Sequence, residues 1–287
     1  MRVVVTGGNG FIGRWLVAEL RGGGHDVVVP ARGVTSDVDG ADAVVHLAGE
    51  SVAQRWTASA KERIVRSRVD GTRRLVEAMG RAAKKPRVLA AASAVGYYGA
   101  RGDEELDEDA SPGNDFLART CVAWEGAASE AETSGIRVVR LRIGIVLGAG
   151  GGALAKMLPA FRAFAGGPVG TGNQWMSWIH REDLVGLFLF ALANSAVSGP
   201  LNATAPRPVR NREFASALGR AVGRPALVPA PAVALKLLFG EMATMVLDGQ
   251  RAVPSRALGF GFRFRFPELS AALGQALGGP DAPPTPG

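Results

Sequence analysis

Residues Val3 to Gly13 read Val-Val-Val-Thr-Gly-Gly-Asn-Gly-Phe-Ile-Gly, an apolar run that meets glycines at 7, 10 and 13 just where an amphipathic helix pattern begins. That spacing does one kind of chemistry well. Gly7 permits a tight turn, Gly10 lets a diphosphate approach the backbone, and Gly13 lets the new helix pack close to its strand. The helix's first N–H groups, with those of Phe11 and Ile12 in the turn before it, then face the phosphates of a dinucleotide. Glycine alone is a modest signal in a chain that holds 39 of them. The strand before and the helix after (Phe11, Ile12, Trp15, Leu16, Leu20) raise it, as do Gly22-Gly23-Gly24 as a stop and a second apolar run from Val27 to Val29.

The end of that second strand chooses between nicotinamide dinucleotides. A carboxylate there accepts from the ribose 2′-hydroxyl, whereas an arginine pairs with a 2′-phosphate. The strand ends Val29-Pro30-Ala31-Arg32, with no carboxylate before Asp37, so Arg32 favours NADP(H), with Arg14 as a second candidate phosphate partner. The alternative is a solvated arginine in a basic chain. Leu47-Ala48-Gly49-Glu50 closes the next strand with small residues, where cofactor ribose and diphosphate pass close to the backbone in an open α/β sheet. Glu50, Arg55 and Trp56 follow, either facing the ligand or, for Glu50 and Arg55, pairing with each other.

The elements that must position these residues alternate. Strands are expected at Arg2 to Thr6, Asp26 to Pro30, Ala43 to Leu47, Arg87 to Ala92 and Arg137 to Leu141, with helices at about 10–21, 57–80 and 113–134 between them. This pattern predicts an α/β fold, a Rossmann-type doubly wound parallel sheet, over residues 1–150. After Gly148 the texture becomes richer in glycine and proline, with a helix near 153–164, an aromatic strand from Trp175 to Ile179 and a helix from Asp183 to Ala193. Residues 151–180 and 199–277 are expected to form a smaller α+β substrate lobe, with 181–198 packing back on the sheet. Residues 278–287, rich in proline and glycine, read as a disordered tail.

With 287 residues and 47% hydrophobic content the chain can bury a large core. No apolar run approaches the roughly 20 residues that span a bilayer, and the N-terminus enters a strand at once, so neither a membrane span nor a signal peptide is expected. The lone Cys121 has no intrachain partner, which fits a reducing cytoplasm. The net charge of +7 comes mostly from scattered arginine, with lysine only at 61, 84, 85, 156 and 236, and no aromatic platform accompanies it; nucleic acid is not the expected partner.

The turn Thr6 to Gly13 resembles that of extended short-chain dehydrogenases/reductases, the superfamily of sugar-nucleotide epimerases and dehydratases. Further blocks narrow the resemblance: Leu47-Ala48-Gly49-Glu50, Arg55-Trp56, Ser67-Arg68-Val69, Ser93 to Gly99, Ser177-Trp178-Ile179-His180, Asn202 to Pro206, Gly259-Phe260 and Phe264 to Pro267. Together these are similar to an atypical, epimerase-like group of unassigned substrate, and they cover nearly the whole chain. The resemblance implies a small-molecule substrate and a polarising serine at Ser93, whose hydroxyl would meet a substrate carbonyl or else satisfy a backbone group.

Two departures stand out. Extended members usually carry Tyr-x-x-x-Lys on the helix after the serine strand, where the ammonium lowers the phenol's pKa for proton transfer. Aligning Glu125 with the glutamate that commonly follows that lysine puts Leu117 and Cys121 in those two places. Tyr98 is then a candidate replacement acid, or a residue that packs on the cofactor. Secondly, 32–42 is short, and Val34 to Val38 is the expected remnant of a third sheet strand. His180 and the apolar trio Trp175, Met176 and Trp178 border the expected substrate pocket, as site residues or as structure and core. The two readings left open are an NADP(H)-dependent oxidoreductase or epimerase-like enzyme, and a catalytically inert NADPH-binding protein.

Overall fold

The computed structural model describes residues 1–31 and 33–278. Arg32 and residues 279–287, which include all of the expected tail except Gly278, lie outside the described residues. Arg2–Thr6 (β1) leads into Gly13–Gly22 (α1), followed by Asp26–Val28 (β2), Ala43–His46 (β3), Ala58–Arg81 (α2), Val88–Ala94 (β4), Glu105–Leu106 (β5), Phe116–Ser129 (α3), Arg137–Ile143 (β6) and Ile145–Leu147 (β7). The chain continues through Gly152–Arg162 (α4), Trp175–Met176 (β8), Trp178–His180 (β9), Arg181–Ala193 (α5), Gly199–Ala203 (β10), Val209–Arg210 (β11) and Asn211–Val222 (α6). It closes with Ala232–Phe239 (α7), Thr244–Leu247 (α8), Arg251–Ala252 (β12), Ser255–Gly259 (α9) and Leu269–Gly278 (α10).

Six strands form one parallel sheet in the order β10-β6-β4-β3-β1-β2. Its strands are apolar on both faces because both are covered. Val3, Val5, Val45 and Leu141 pack with Leu16 and Leu20 of α1 and Leu184 and Phe188 of α5. On the other face Val4, Val44, Leu89 and Val138 pack with Leu75 and Met79 of α2 and Ala128 of α3. Because every pairing is parallel, all six carboxyl ends lie along one edge, and in such sheets that edge is where ligand binds.

The expected third strand does not form. Ser36–Val38 is a single 3-10 turn, and β2 is the outermost strand at this side of the sheet. A parallel third strand would need the chain to cross the sheet twice between β2 and β3, and the short segment serves for one return, with Val38 buried against the α2 face. Strand β2 stops at Val28, short of Pro30, which has no N–H to add to a ladder. The aromatic strand expected at 175–179 is two: β8 pairs antiparallel with β11 and β9 pairs parallel with β7, with Ser177 at the break. Helix α3 starts later than expected because Asp115 caps it, its Oδ1 accepting from Ala118 N at 2.8 Å.

A second apolar cluster joins Leu147, Leu154, Phe161, Trp178, Phe214, Leu218, Leu269 and Leu273, so α4, α6 and α10 surround β7 and β9 beside the carboxyl edge of the sheet. Trp178 is therefore core. Gly278 ends α10 within this cluster's last helix.

Candidate functional site

The glycine turn has the geometry its spacing requires. Gly7 sits at φ +74°, and a Cβ on it would stand 2.8 Å from Ala48 N and from the Leu47 carbonyl carbon. A Cβ on Gly13 would stand 2.2 Å from Gly7 O, so the start of α1 touches the turn backbone to backbone. The turn itself is closed by Gly10 N donating to Gly7 O at 2.9 Å. Its neighbours Leu47, Ala48 and Gly49 are the residues predicted to let a ligand pass. Ile12 offers no side-chain cap to α1, and among the described residues no backbone hydrogen bond uses the N–H of Phe11 or Ile12. This is a cradle for an anion at the positive end of a helix. Phe11 closes its side, its ring packed on Gly151 and Gly152, where a Cβ would fall 2.4 Å and 2.8 Å from ring atoms. Arg14 Nη2 holds the same loop through Gly150 O at 3.0 Å. Glu50 lies at the rim, its Oε1 within 3.9 Å of Arg63 Nε and 3.4 Å of Gln54 Nε2.

The neighbouring strand β4 carries Ser93 in a polar network buried from solvent. Ser93 Oγ donates to Glu125 Oε1 at 2.6 Å, and Arg142 grips both oxygens of Glu125, Nε to Oε1 at 2.9 Å and Nη2 to Oε2 at 3.0 Å. Arg142 Nη1 also donates to Tyr98 OH at 3.0 Å, and that hydroxyl donates to Asn202 Oδ1 at 2.7 Å. Asn202 N in turn donates to Glu108 Oε1 at 2.9 Å. Burial opposes the Arg142 charge, but the bonds and charge of Glu125 outweigh it and raise its pKa above the ordinary arginine value. Burial pushes Tyr98 up to about 12 despite the adjacent Arg142. Its hydroxyl is tied on two sides and fully buried, so Tyr98 stands within the protein as a strut between β4, β6 and β10.

Leu117 and Cys121 project from α3 near the same edge. Burial pushes the Cys121 thiol up to about 12, with Glu125 adding to the effect, so it is neither a ready nucleophile nor a cation. Leu117 lines a cavity of about 100 Å³ together with Trp56, Gly96, Phe116, Asp248 and Gln250. Trp56 and Phe116 meet edge to face there, centroids 5.0 Å apart. Burial, with Asp115 nearby, raises the pKa of Asp248. A larger cavity of about 150 Å³ lies between α4 and α6, lined by Phe161, Phe214 and Val228, and none of the predicted site residues reaches it.

His180 is structural. Its Nδ1 accepts from Glu182 N at 3.3 Å at the start of α5 and its Nε2 faces Gln275 Oε1 at 2.8 Å, which one neutral tautomer satisfies. Burial lowers its pKa to about 4. Trp175 is stacked by Arg210 and Arg251 at 4.0 and 5.0 Å. Sequence reasoning missed His46, whose Nδ1 lies 2.6 Å from Thr6 Oγ1 and Nε2 3.0 Å from Thr72 Oγ1, tying two sheet strands to α2. It also missed Arg68, whose guanidinium reaches the end of β3 and donates to Glu50 O at 2.8 Å. Among the described residues no group of three or more His, Cys, Asp or Glu could hold a metal ion, and no helix is long and apolar enough to cross a membrane.

A parallel sheet bearing this glycine cradle, with a second apolar cluster beside its carboxyl edge, defines a dinucleotide-binding short-chain dehydrogenase/reductase architecture, and the chain belongs to the NAD dependent epimerase/dehydratase family, whose model matches residues 3–203. A domain of unknown function, DUF1731, matches residues 230–276. Within the family the chain is similar to the epimerase family protein SDR39U1 of Bos taurus, 42% identical over 96% of this chain and 100% of the relative. It is likewise similar to the chloroplastic SDR39U1 homolog of Arabidopsis thaliana, 43% identical over 95% of this chain and 86% of the relative. The crystal structure of human SDR39U1 (isoform 2) with NADPH superposes with a TM-score of 0.90 at 38% identity, covering 96% of this chain and 99% of that one.

Proposed function

We propose that the protein binds NADP(H) across the carboxyl edge of its sheet and uses it as an oxidoreductase or epimerase-like enzyme on a small molecule. The observation that carries this reading is the cradle of Gly7, Gly10 and Gly13 at the uncapped start of α1, where Gly7 packs on Leu47 and Ala48 and Gly13 on Gly7 too closely for any Cβ. The NADPH held by the human relative supports the same cofactor, and Arg32 supplies the charge for its 2′-phosphate. Once bound, NADP(H) supplies the hydride chemistry. Phe11, Ile12 and Gly13 hold the diphosphate, Leu47 to Glu50 border the ribose, and Trp56, Phe116 and Leu117 exclude water from the substrate cavity beside Gly96. Ser93 donates its single hydroxyl proton to Glu125, so in this arrangement its oxygen would accept from a ligand and would not polarise a carbonyl.

A specific observation favours a second reading, an inert NADPH-binding protein: Tyr98 is locked in the interior, and Leu117 and Cys121 offer no proton at neutral pH. Single-turnover assays separate the two. Protein loaded with NADPH and mixed with carbonyl compounds, quinones or sugar nucleotides should lose NADPH absorbance in step with a reduced product for one of these classes. Stable NADPH with every class supports the inert reading instead.

A further inference from the structure

Arg68 differs from the other arginines of α2. Arg63, Arg66, Arg73 and Arg81 lie on the exposed side, each within ion-pair distance of a glutamate. Arg68 turns inward to the carboxyl end of β3, donating through Nη1 to Glu50 O at 2.8 Å and Ile64 O at 3.3 Å. Its guanidinium lies flat on the backbone of Gly49, where a Cβ would be 3.3 Å from Arg68 Cζ, and over the Trp124 ring at 5.0 Å. It stands within electrostatic reach of Cys121, the residue in the place of the family's lysine, whose thiol burial keeps neutral. One cation therefore touches the loop after β3, α2 and α3 at a single point. Burial works against that charge and the nearby Glu50 supports it, and the planar guanidinium is suited to binding oxygens of a ligand at that edge.

We propose that Arg68 is the cation of the nicotinamide half of the site, reaching from α2 into the position that a lysine at 121 would otherwise supply from α3. The proposal rests on the reading that NADP(H) binds with that half over β3 and β4, as the two halves of a dinucleotide fold divide their ligand. A fixed cation there has a consequence that a structural arginine lacks. The nicotinamide ring is positively charged in NADP⁺ and neutral in NADPH, so a like charge beside it disfavours the oxidised form. Losing the charge removes that bias and leaves the diphosphate cradle intact.

The test is calorimetric titration of the full chain with NADPH and with NADP⁺. In the wild type NADPH should bind more tightly. Arg68→Met, which keeps much of the stem, should lower the ratio of the NADP⁺ to the NADPH dissociation constant by about tenfold. Arg68→Lys, which keeps the charge, should retain the ratio. An unchanged ratio in Arg68→Met, or equal losses for both ligands, overturns the proposal. Should Arg68→Met fail to fold, Arg68→Gln carries the test: loss of the charge with hydrogen bonding kept must lower the ratio, and no change overturns the proposal. Wild-type protein that binds neither nucleotide refutes the cofactor reading itself, and the role of Arg68 falls with it; binding with an unmoved ratio refutes only the role of Arg68.

Discussion

Ser93 and Glu125, 32 residues apart in sequence, share a hydrogen bond of 2.6 Å in the interior, and the carboxylate is clamped from its other side by both arms of Arg142. The pair joins β4 to α3, and Arg142 extends the connection to β6, so the network fixes Ser93 at the edge where substrate would meet cofactor. Removing one partner of a buried ion pair leaves the other charge uncompensated.

Glu125→Gln should therefore destabilise the protein by about 3–5 kcal/mol, measured by urea unfolding. The double replacement of Glu125 and Arg142 by Met should cost less than the sum of the two single changes. Strict additivity, or a neutral Glu125→Gln, contradicts the clamp.

Gly13→Ala should abolish tight nucleotide binding. The new methyl carbon would meet Gly7 O at 2.2 Å, and both groups are backbone, so relief requires the start of α1 to move away from β1. Overpacking of this kind costs about 1–3 kcal/mol in stability, and calorimetry should show at least a tenfold weaker NADPH affinity. Gly22→Ala, at the far end of the same helix and with nothing within 4 Å, serves as the control.

The glycine cradle was legible in the sequence because its constraint is local: turn, close approach and helix start fall within seven residues. The two buried layers were legible for a similar reason, since Val3, Val4 and Val5 already alternate between sheet faces. Arg68 was not legible as a site residue, because among Arg63, Arg66, Arg73 and Arg74 it reads as one more solvated charge; only the Ser67-Arg68-Val69 block hinted otherwise. Glu125 was used only to align α3, and its bond to Ser93 depends on how β4 and α3 meet, which no local pattern records. The third strand was overread from Val34 and Val38, of which Val38 is buried simply to cover the α2 face.

Acid should weaken the fold through two histidines. Burial lowers both His46 and His180 to about 4, below the unfolded value of about 6.5. Between these values the unfolded chain binds more protons than the native one, so the stability contributed by neutral histidine is complete above about pH 6.5 and declines as pH falls toward 4. The loss from pH 7 to pH 5 should be about 2 kcal/mol per histidine. The raised pKa values of Glu108 and Asp183, both caused first by burial, act in the opposite sense. Ring-proton NMR isolates the histidine share: the His46 and His180 rings should remain neutral down to pH 5, and titration of either near 6.5 contradicts the assignment.

In the proposed reading the glycine turn holds the cofactor and Arg32, four residues past β2, selects NADP(H). Calorimetric titration of the purified protein with NADPH and NADH, after any co-purified nucleotide has been removed, tests it most directly. NADPH should bind tightly and NADH more weakly, and Arg32→Ala should lose most of that preference. Equal affinities in the wild type would contradict the 2′-phosphate assignment, and binding of neither nucleotide would contradict the cofactor site.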